Sequence, residues 1–470
     1  MKPLRGNCDC SGLYCKIIRG WSAVRDSVLA LILIVGTLKA LTHPYIGMLT
    51  WTWVSIMNPH RLSWHLNLYP VAAIVGGATL IGLFITRDKR QFFMNVPSFL
   101  LLLFTLWECV TYLFSFYPDA STFMLVRVLK INFMIFVAMM LFYTRRHIIA
   151  LVWVLVFSIG FYGVKGGIFT IATGGGYRVW GPEGSFIEGN NEVALAMIMV
   201  IPLMYFLRSL YEQRWIRRVF LIAMLLSAVA AIGSQSRGAL LALVAMAGLF
   251  WLRLDSMGGG GNKKVGSQKA VFAVVILAAG VTLMLFMPDS WHERMDTIGD
   301  YQQDASAQGR INAWYMAWNL ATHNLFGGGF EIYNRTTFML YAPNPYDVHA
   351  AHSIYFQVLG EHGFIGLILF VLMWLFTWRW AGWLRTYAKA DAETEWASVL
   401  GAMVQASLAG YAVGGAFLSL AYFDLPYNLL VLVVVTRRWV GHYQAGKNFD
   451  ERPVDETPAR NRRILLRGDE

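Results

Sequence analysis

Pro288–Trp318 reads PDSWHERMDTIGDYQQDASAQGRINAWYMAW, and Tyr346–Leu367 reads YDVHAAHSIYFQVLGEHGFIGL. A glycine turn falls between them at Gly327, Gly328 and Gly329. Together they make a long water-soluble passage, from Met287 to His352, in a chain that elsewhere alternates apolar runs with short basic turns. The passage ends with His352 at the mouth of the next hydrophobic run, so a ring able to carry or accept a proton stands at a membrane–water boundary.

The rest of the chain is what makes this interlude conspicuous. Of 470 residues, 57% are hydrophobic and 14% charged, and the mean hydropathy is +0.48. Such a composition belongs to an integral membrane protein rather than to soluble domains. Apolar runs long enough to cross about 30 Å of hydrocarbon recur throughout. The net charge of +11 does not point to nucleic acid, because Lys and Arg gather in the turns between runs, the pattern of cytoplasmic membrane loops. RDKR, TRRH, RSLYEQRWIRR, GGGGNKK, RWAGWLRTYAK and TRRW then share one face. The opposite face holds SFYPDAS, GPEGSFIEGNN, GSQSR, the long loop and FDLPYN.

The expected fold is an all-α polytopic bundle of about twelve transmembrane helices with one long, partly helical external loop. Its divisions are a cytoplasmic tail (1–21), transmembrane helices (22–287), the loop with the catalytic elements (288–351), further transmembrane helices (352–442) and a charged, disordered cytoplasmic tail (443–470). The count hinges on residues 26–58, broken by Pro44, which read as one kinked crossing or as two short helices. One net crossing there gives twelve with both termini inside; the alternative is thirteen with the N-terminus outside. No repeat or inverted half-symmetry is evident, which disfavours transporters built on duplicated halves.

Several charged groups fall where charge is costly. Arg237, in GSQSRGALLALV, lies between two crossings and reads as an anion ligand or as a snorkelling arginine. Arg310, in AQGRINAWYMAW, starts an amphipathic segment that by itself suggests a loop helix lying on the membrane. Arg127, Lys130 and Lys165 sit within apolar runs, where bases line a wet cavity, meet a headgroup or fix a helix end. Asn190 and Asn191 read as an N-cap or as sugar ligands, and Glu183 and Glu188 as partners for the arginines. His352 is followed by Tyr355, Phe356, Glu361 and His362, and His349 precedes it.

Some chemistry lacks support. There is no HExxH, GxxxxGK[ST] or GxSxG, and CDCSGLYC, holding Cys8, Cys10 and Cys15, lacks paired zinc-ligand spacing. Asp296, Asp300 and Asp304 read as a solvated helix face. No metal site and no cofactor is expected, and a metal-independent reaction is the simpler inference.

Four segments in this order resemble the O-antigen ligase and polymerase superfamily of bacterial envelope glycosyltransferases: SQSRGALLAL, GRINAW in a long loop, GGGF, and HSIYFQVLGEHGFIGL. The last is similar to a His-x-x-Tyr…Glu-x-Gly-x-x-Gly signature. RDSVLALILIVGTLKALTHPYIGMLTWTWVSIMNPHRLSW, YGVKGGIFTIATGGGYRVWGP and NNEVALAM further resemble the O-glycosylation ligases found alongside exosortase systems.

The resemblance implies a multi-pass protein of the bacterial inner membrane with its active site facing the periplasm. It would transfer a glycan from undecaprenyl diphosphate to lipid A–core in lipopolysaccharide biosynthesis. His352 would activate the acceptor hydroxyl, while Arg237 and Arg310 would bind the diphosphate. Lys130, Lys165, Asn191, Tyr355, Glu361 and His349 are further candidates for substrate binding. Ser353 stands where Asn commonly follows the family histidine, and His349, three residues earlier, is the alternative base. A polymerase or a protein O-oligosaccharyltransferase would use the same donor. A flippase of lipid-linked sugars is the alternative of another class.

Overall fold

The computed structural model describes residues 13–63, 65–86, 90–91, 94–253 and 305–446. Several expectations lie outside the described residues: Cys8 and Cys10, the end of the 22–287 transmembrane region from residue 254 on, with the GGGGNKK turn, Asp296, Asp300 and Asp304, and the tail from Lys447.

The described residues form an all-α polytopic membrane protein without strands, in which seven helices are long and apolar enough to cross a bilayer. We number the helices α1 Leu13–Thr42, α2 Pro44–Met57, α3 Val71–Ile85, α4 Val96–Leu113, α5 Pro118–Leu141, α6 Arg145–Ala172 and α7 Asn190–Ser209. They continue as α8 Arg214–Gly233, α9 Arg237–Arg253, α10 Ala305–His323, α11 Arg335–Tyr341, α12 Ile354–Tyr387, α13 Glu395–Gly415 and α14 Asp424–Gln444.

Residues 26–58 form two helices that reverse direction. Pro44 supplies no amide and opens α2 at its first position. A Cβ on Gly36 would lie 2.8 Å from Thr50 and one on Gly47 would lie 2.5 Å from Ala40, so α1 and α2 run antiparallel. The reversal sits on the basic face, where Tyr45 stacks on His147 of the TRRH turn at 4.4 Å. The segment therefore forms two antiparallel helices rather than one kinked helix.

At the centre lie α7, α13 and α14, each buried along most of its length. With no hydrophobic drive between helices inside lipid, close packing and interhelical hydrogen bonds do the holding. Small residues of α13 permit it: Gly401 sits against Ala381, and Gly414 fits between Leu195 of α7 and Ala242 of α9. The Ser407 hydroxyl donates to the Met199 carbonyl at 2.6 Å. Individual ends are set locally, as where Asn95 and Ser98 cap α4 reciprocally.

The loop helix α10 does not lie apart on the membrane surface. It packs along α12, with Trp314 stacked on Phe356 and Trp318 edge-on to Phe364. Phe326, just beyond it, stacks on Trp107 of α4 and on Phe114 just after that helix. The Gly327–Gly329 turn then reverses the chain, the amides of Gly328 and Gly329 donating to the carbonyls of Gly360 and Glu361 at 3.0 and 2.9 Å. Gly363 breaks α12 there with φ 67° and ψ −172°, a conformation open essentially to glycine. The segment from Ala305 to Tyr341 is thus a re-entrant arm, its tip roughly 14 Å along α12 from Ile354 at 1.5 Å per residue.

Candidate functional site

His352 stands immediately before α12 in the left-handed region, at φ 42°, where non-glycine residues are uncommon and need outside support. The support comes from the α13–α14 turn: the His352 amide donates to the Ser419 hydroxyl at 2.9 Å. The ring is half-buried, and its Nδ1 is buried with no hydrogen-bond partner among the described residues. Burial, followed by the positive charges of Arg310 and His349, holds the imidazole down at about 4. At neutral pH it is therefore unprotonated, the state a general base requires.

His349 differs. Its Nε2 lies 2.8 Å from Asp347 Oδ1, so that nitrogen is engaged. Its ring lies so close to Gly309 that a side chain there would collide with it. That contact brings the start of α10, and with it Arg310, up to the histidines. Two anchors fix the approach: Asn312 donates to the carbonyls of Asn344 and Asp347 at 2.8 and 2.9 Å, and Trp314 Nε1 donates to the Ala351 carbonyl at 2.7 Å. The run GRINAW is thus one guanidinium followed by the residues that clamp its helix to 344–351.

Arg310 interacts electrostatically with His352 and with Glu192 in the first turn of α7. Sequence reasoning named Glu183 and Glu188 as carboxylate partners. Glu188 instead accepts from the Gly184 amide at 2.7 Å, and the Glu183 carbonyl accepts from Arg61. Glu192 was missed because, three residues after Gly189, it reads as an ordinary first-turn acid of a helix.

Arg237 is the first residue of α9 and reaches the same neighbourhood through its backbone. Gln235 before it is also left-handed, at φ 58°, and its side chain donates to the Gly175 carbonyl at 3.0 Å and accepts from Arg178 at 3.4 Å. Gly238 packs on Phe417, in the turn whose Ser419 holds His352. Asn190 donates to the Ser234 carbonyl at 2.8 Å, and Gly415 packs on Ile354. The N-termini of α7, α9 and α12 are thereby tied together, and each contributes partial positive charge. Ser419 and Gln235 carry no chemical signature in sequence, so neither was anticipated.

The remaining candidates divide. Asn191 is half-buried beside Asn190, which is the first helical residue after the N-cap Gly189 rather than the cap itself. Tyr355 spends its hydroxyl on the Ala412 carbonyl at 2.9 Å. Glu361, 4% exposed, accepts from the Tyr422 hydroxyl at 2.5 Å, and Tyr422 also meets His362 Nε2 at 2.8 Å while His362 Nδ1 meets Thr111 at 2.7 Å. This network lies at the α12 break and binds the re-entrant arm.

Lys130 and Lys165 are exposed on α5 and α6. Lys165 lines an apolar groove of about 640 Å³ between α6 and α8. No interaction described ties either lysine to His352 among the described residues. Arg127 stacks on Phe186 at 3.6 Å and faces buried Asp424, itself held by Ser55.

Beside the His349–Arg310 region a polar cavity of about 620 Å³ is lined by Ser306, Gln308, Asn344, Tyr346, Asp347 and His349. No cluster of three or more His, Cys, Asp or Glu positioned for a metal occurs among the described residues.

Comparison with known proteins divides the chain into two segments. Residues 24–212 match a family of unknown function (DUF5935). Residues 222–371 match the O-antigen ligase family, over a span that includes Arg237, Arg310 and His352. No curated protein matches. An enzyme of ligase or polymerase type acting on lipid-linked glycans in a membrane is what the second match supports. Through that segment, the chain is similar to the O-antigen ligase family.

Proposed function

We propose that the protein is an inverting, metal-independent glycosyltransferase that moves a glycan from undecaprenyl diphosphate to a hydroxyl of lipid A–core at the periplasmic face of the inner membrane. His352 is the base that takes the acceptor proton. Arg310 and Arg237, with the joined N-termini of α7, α9 and α12, hold the diphosphate and offset the charge that grows on it as the glycosidic bond breaks. The acceptor oxygen attacks the anomeric carbon from the face opposite the diphosphate, and undecaprenyl diphosphate leaves.

One observation carries the reading: an unprotonated imidazole with a buried, unpartnered nitrogen, held in a strained conformation within the field of Arg310. Glu361 and Tyr355 fit positioning roles, since their polar groups are taken up by neighbouring chain, and Asn191 fits one through its side-chain oxygen, which accepts from Asn190. His349 fits a sugar-binding role at the edge of the polar cavity.

The test incubates purified protein with an undecaprenyl diphosphate-linked glycan of known anomeric configuration. Lipid A–core, a second lipid-linked glycan and a Ser/Thr peptide are offered separately. We expect glycosylated lipid A–core with inverted configuration, undiminished by chelator. Transfer only to the second lipid-linked glycan or to the peptide would replace the acceptor and keep the donor chemistry. Retention of configuration would overturn direct displacement.

A further inference from the structure

Resting on the donor assigned above, we propose that the donor lies along α10, with its sugars in the polar cavity and the first isoprene units of its carrier in an aromatic groove on the other side of Arg310. The groove, of about 340 Å³, is lined by Ile311, Trp314, Tyr315 and Trp318 of α10 and by Phe356 of α12. Trp314 follows Arg310 by one helical turn on α10, so the groove begins where the proposed diphosphate site ends.

One wall is fixed and the other open. Trp314 is stacked on Phe356 with rings 5.0 Å apart and 7° from parallel, and its Nε1 is engaged by Ala351. Tyr315 and Trp318 are 56% and 49% exposed, although their helix packs against a membrane crossing. An aromatic face left open at such a place meets hydrocarbon or a ligand.

The chemistry of the two sides separates the ends of the donor. Serine, glutamine, asparagine, aspartate and histidine line the cavity before Arg310, the donors and acceptors that a sugar needs when it leaves water. Beyond Arg310 the lining offers only a tyrosine hydroxyl and two indole nitrogens, one already engaged. That surface suits the methyl-branched, unsaturated carbons of a polyprenyl chain and would leave most sugar hydroxyls unpaired. The groove also runs along α12 toward the break at Gly363, away from the water-facing end that carries His352.

The experiment measures binding of two sugar-free probes, undecaprenyl diphosphate and inorganic diphosphate, to protein in lipid nanodiscs, so it needs no transfer activity. We expect Tyr315→Ala with Trp318→Ala to weaken undecaprenyl diphosphate binding by at least about tenfold and inorganic diphosphate by less than about twofold. Trp318→Phe, which keeps an aromatic wall, is expected to keep most of the affinity. An equal loss for both probes, or a loss for neither, overturns the groove assignment. A wild-type protein that binds neither probe sinks the donor reading itself, and is thereby distinguished from failure of the groove alone.

Discussion

The amide of His352 donates to the hydroxyl of Ser419 across 67 positions of sequence, at 2.9 Å. This bond joins the proposed base to the α13–α14 turn, which also packs Phe417 on Gly238 beside Arg237. Ser419→Ala removes the acceptor that holds His352 left-handed. We expect kcat to fall about tenfold or more with KM for the donor little changed, and stability to fall by about 1 kcal/mol. Steady-state kinetics and thermal unfolding check both; an unchanged kcat would detach the turn from catalysis.

His352 titrates at about 4, below the usual histidine value, because of burial and then of Arg310 and His349. Its folded-state value is depressed, so between about 4 and the unfolded value of about 6.5 the unfolded chain binds more protons. In that window stability rises with pH, and the ring is neutral above it. Arg310→Gln removes a neighbouring positive charge, so we expect the His352 titration, followed by NMR of the labelled ring, to move upward toward 6.5. No movement would separate Arg310 from His352.

Tyr422 bridges Glu361 and His362 at the break in α12. Tyr422→Phe leaves two buried polar groups short of a partner, at a cost of about 2 to 4 kcal/mol. We expect a lowered midpoint of thermal unfolding and looser packing of the re-entrant arm, read as faster amide exchange at Phe326–Glu331.

Gly363 combines positive φ with a close approach to the Leu325 carbonyl. Gly363→Ala meets both strain and collision, and we expect it to reduce the yield of folded protein sharply. Gly441→Ala, in α14 with open space around it, is expected to be neutral or to add up to about 1 kcal/mol. Equal behaviour of the two variants would contradict the role given to the break.

Much of this was legible in the order of residues, for physical reasons. Long apolar runs can satisfy their backbone in lipid only as helices, so α4 to α8 and α12 to α14 followed from hydropathy and basic turns. Pro44 fixes where α1 ends but not the direction taken afterwards, so the α1–α2 reversal had to be seen. The aromatic spacing of α10 fits a helix lying on a membrane as well as one packed on α12. What distinguishes them is the backbone pairing of Gly328 and Gly329 with Gly360 and Glu361, which leaves no side-chain pattern. His352 and Arg310 were nameable because a base and a guanidinium are costly beside hydrocarbon. Ser419, Gln235 and Glu192 were not, because each matters through its partner.

The most direct measurement of the central claim separates chemistry from donor binding in folded His352→Ala and Arg310→Ala proteins, using single-turnover transfer and the Kd of undecaprenyl diphosphate. For His352→Ala we expect transfer to fall by about a thousandfold, with Kd within about threefold of wild type. For Arg310→Ala we expect Kd to rise about tenfold or more. Undiminished transfer by His352→Ala, with the helical fold intact, would contradict the assignment of His352 as the base.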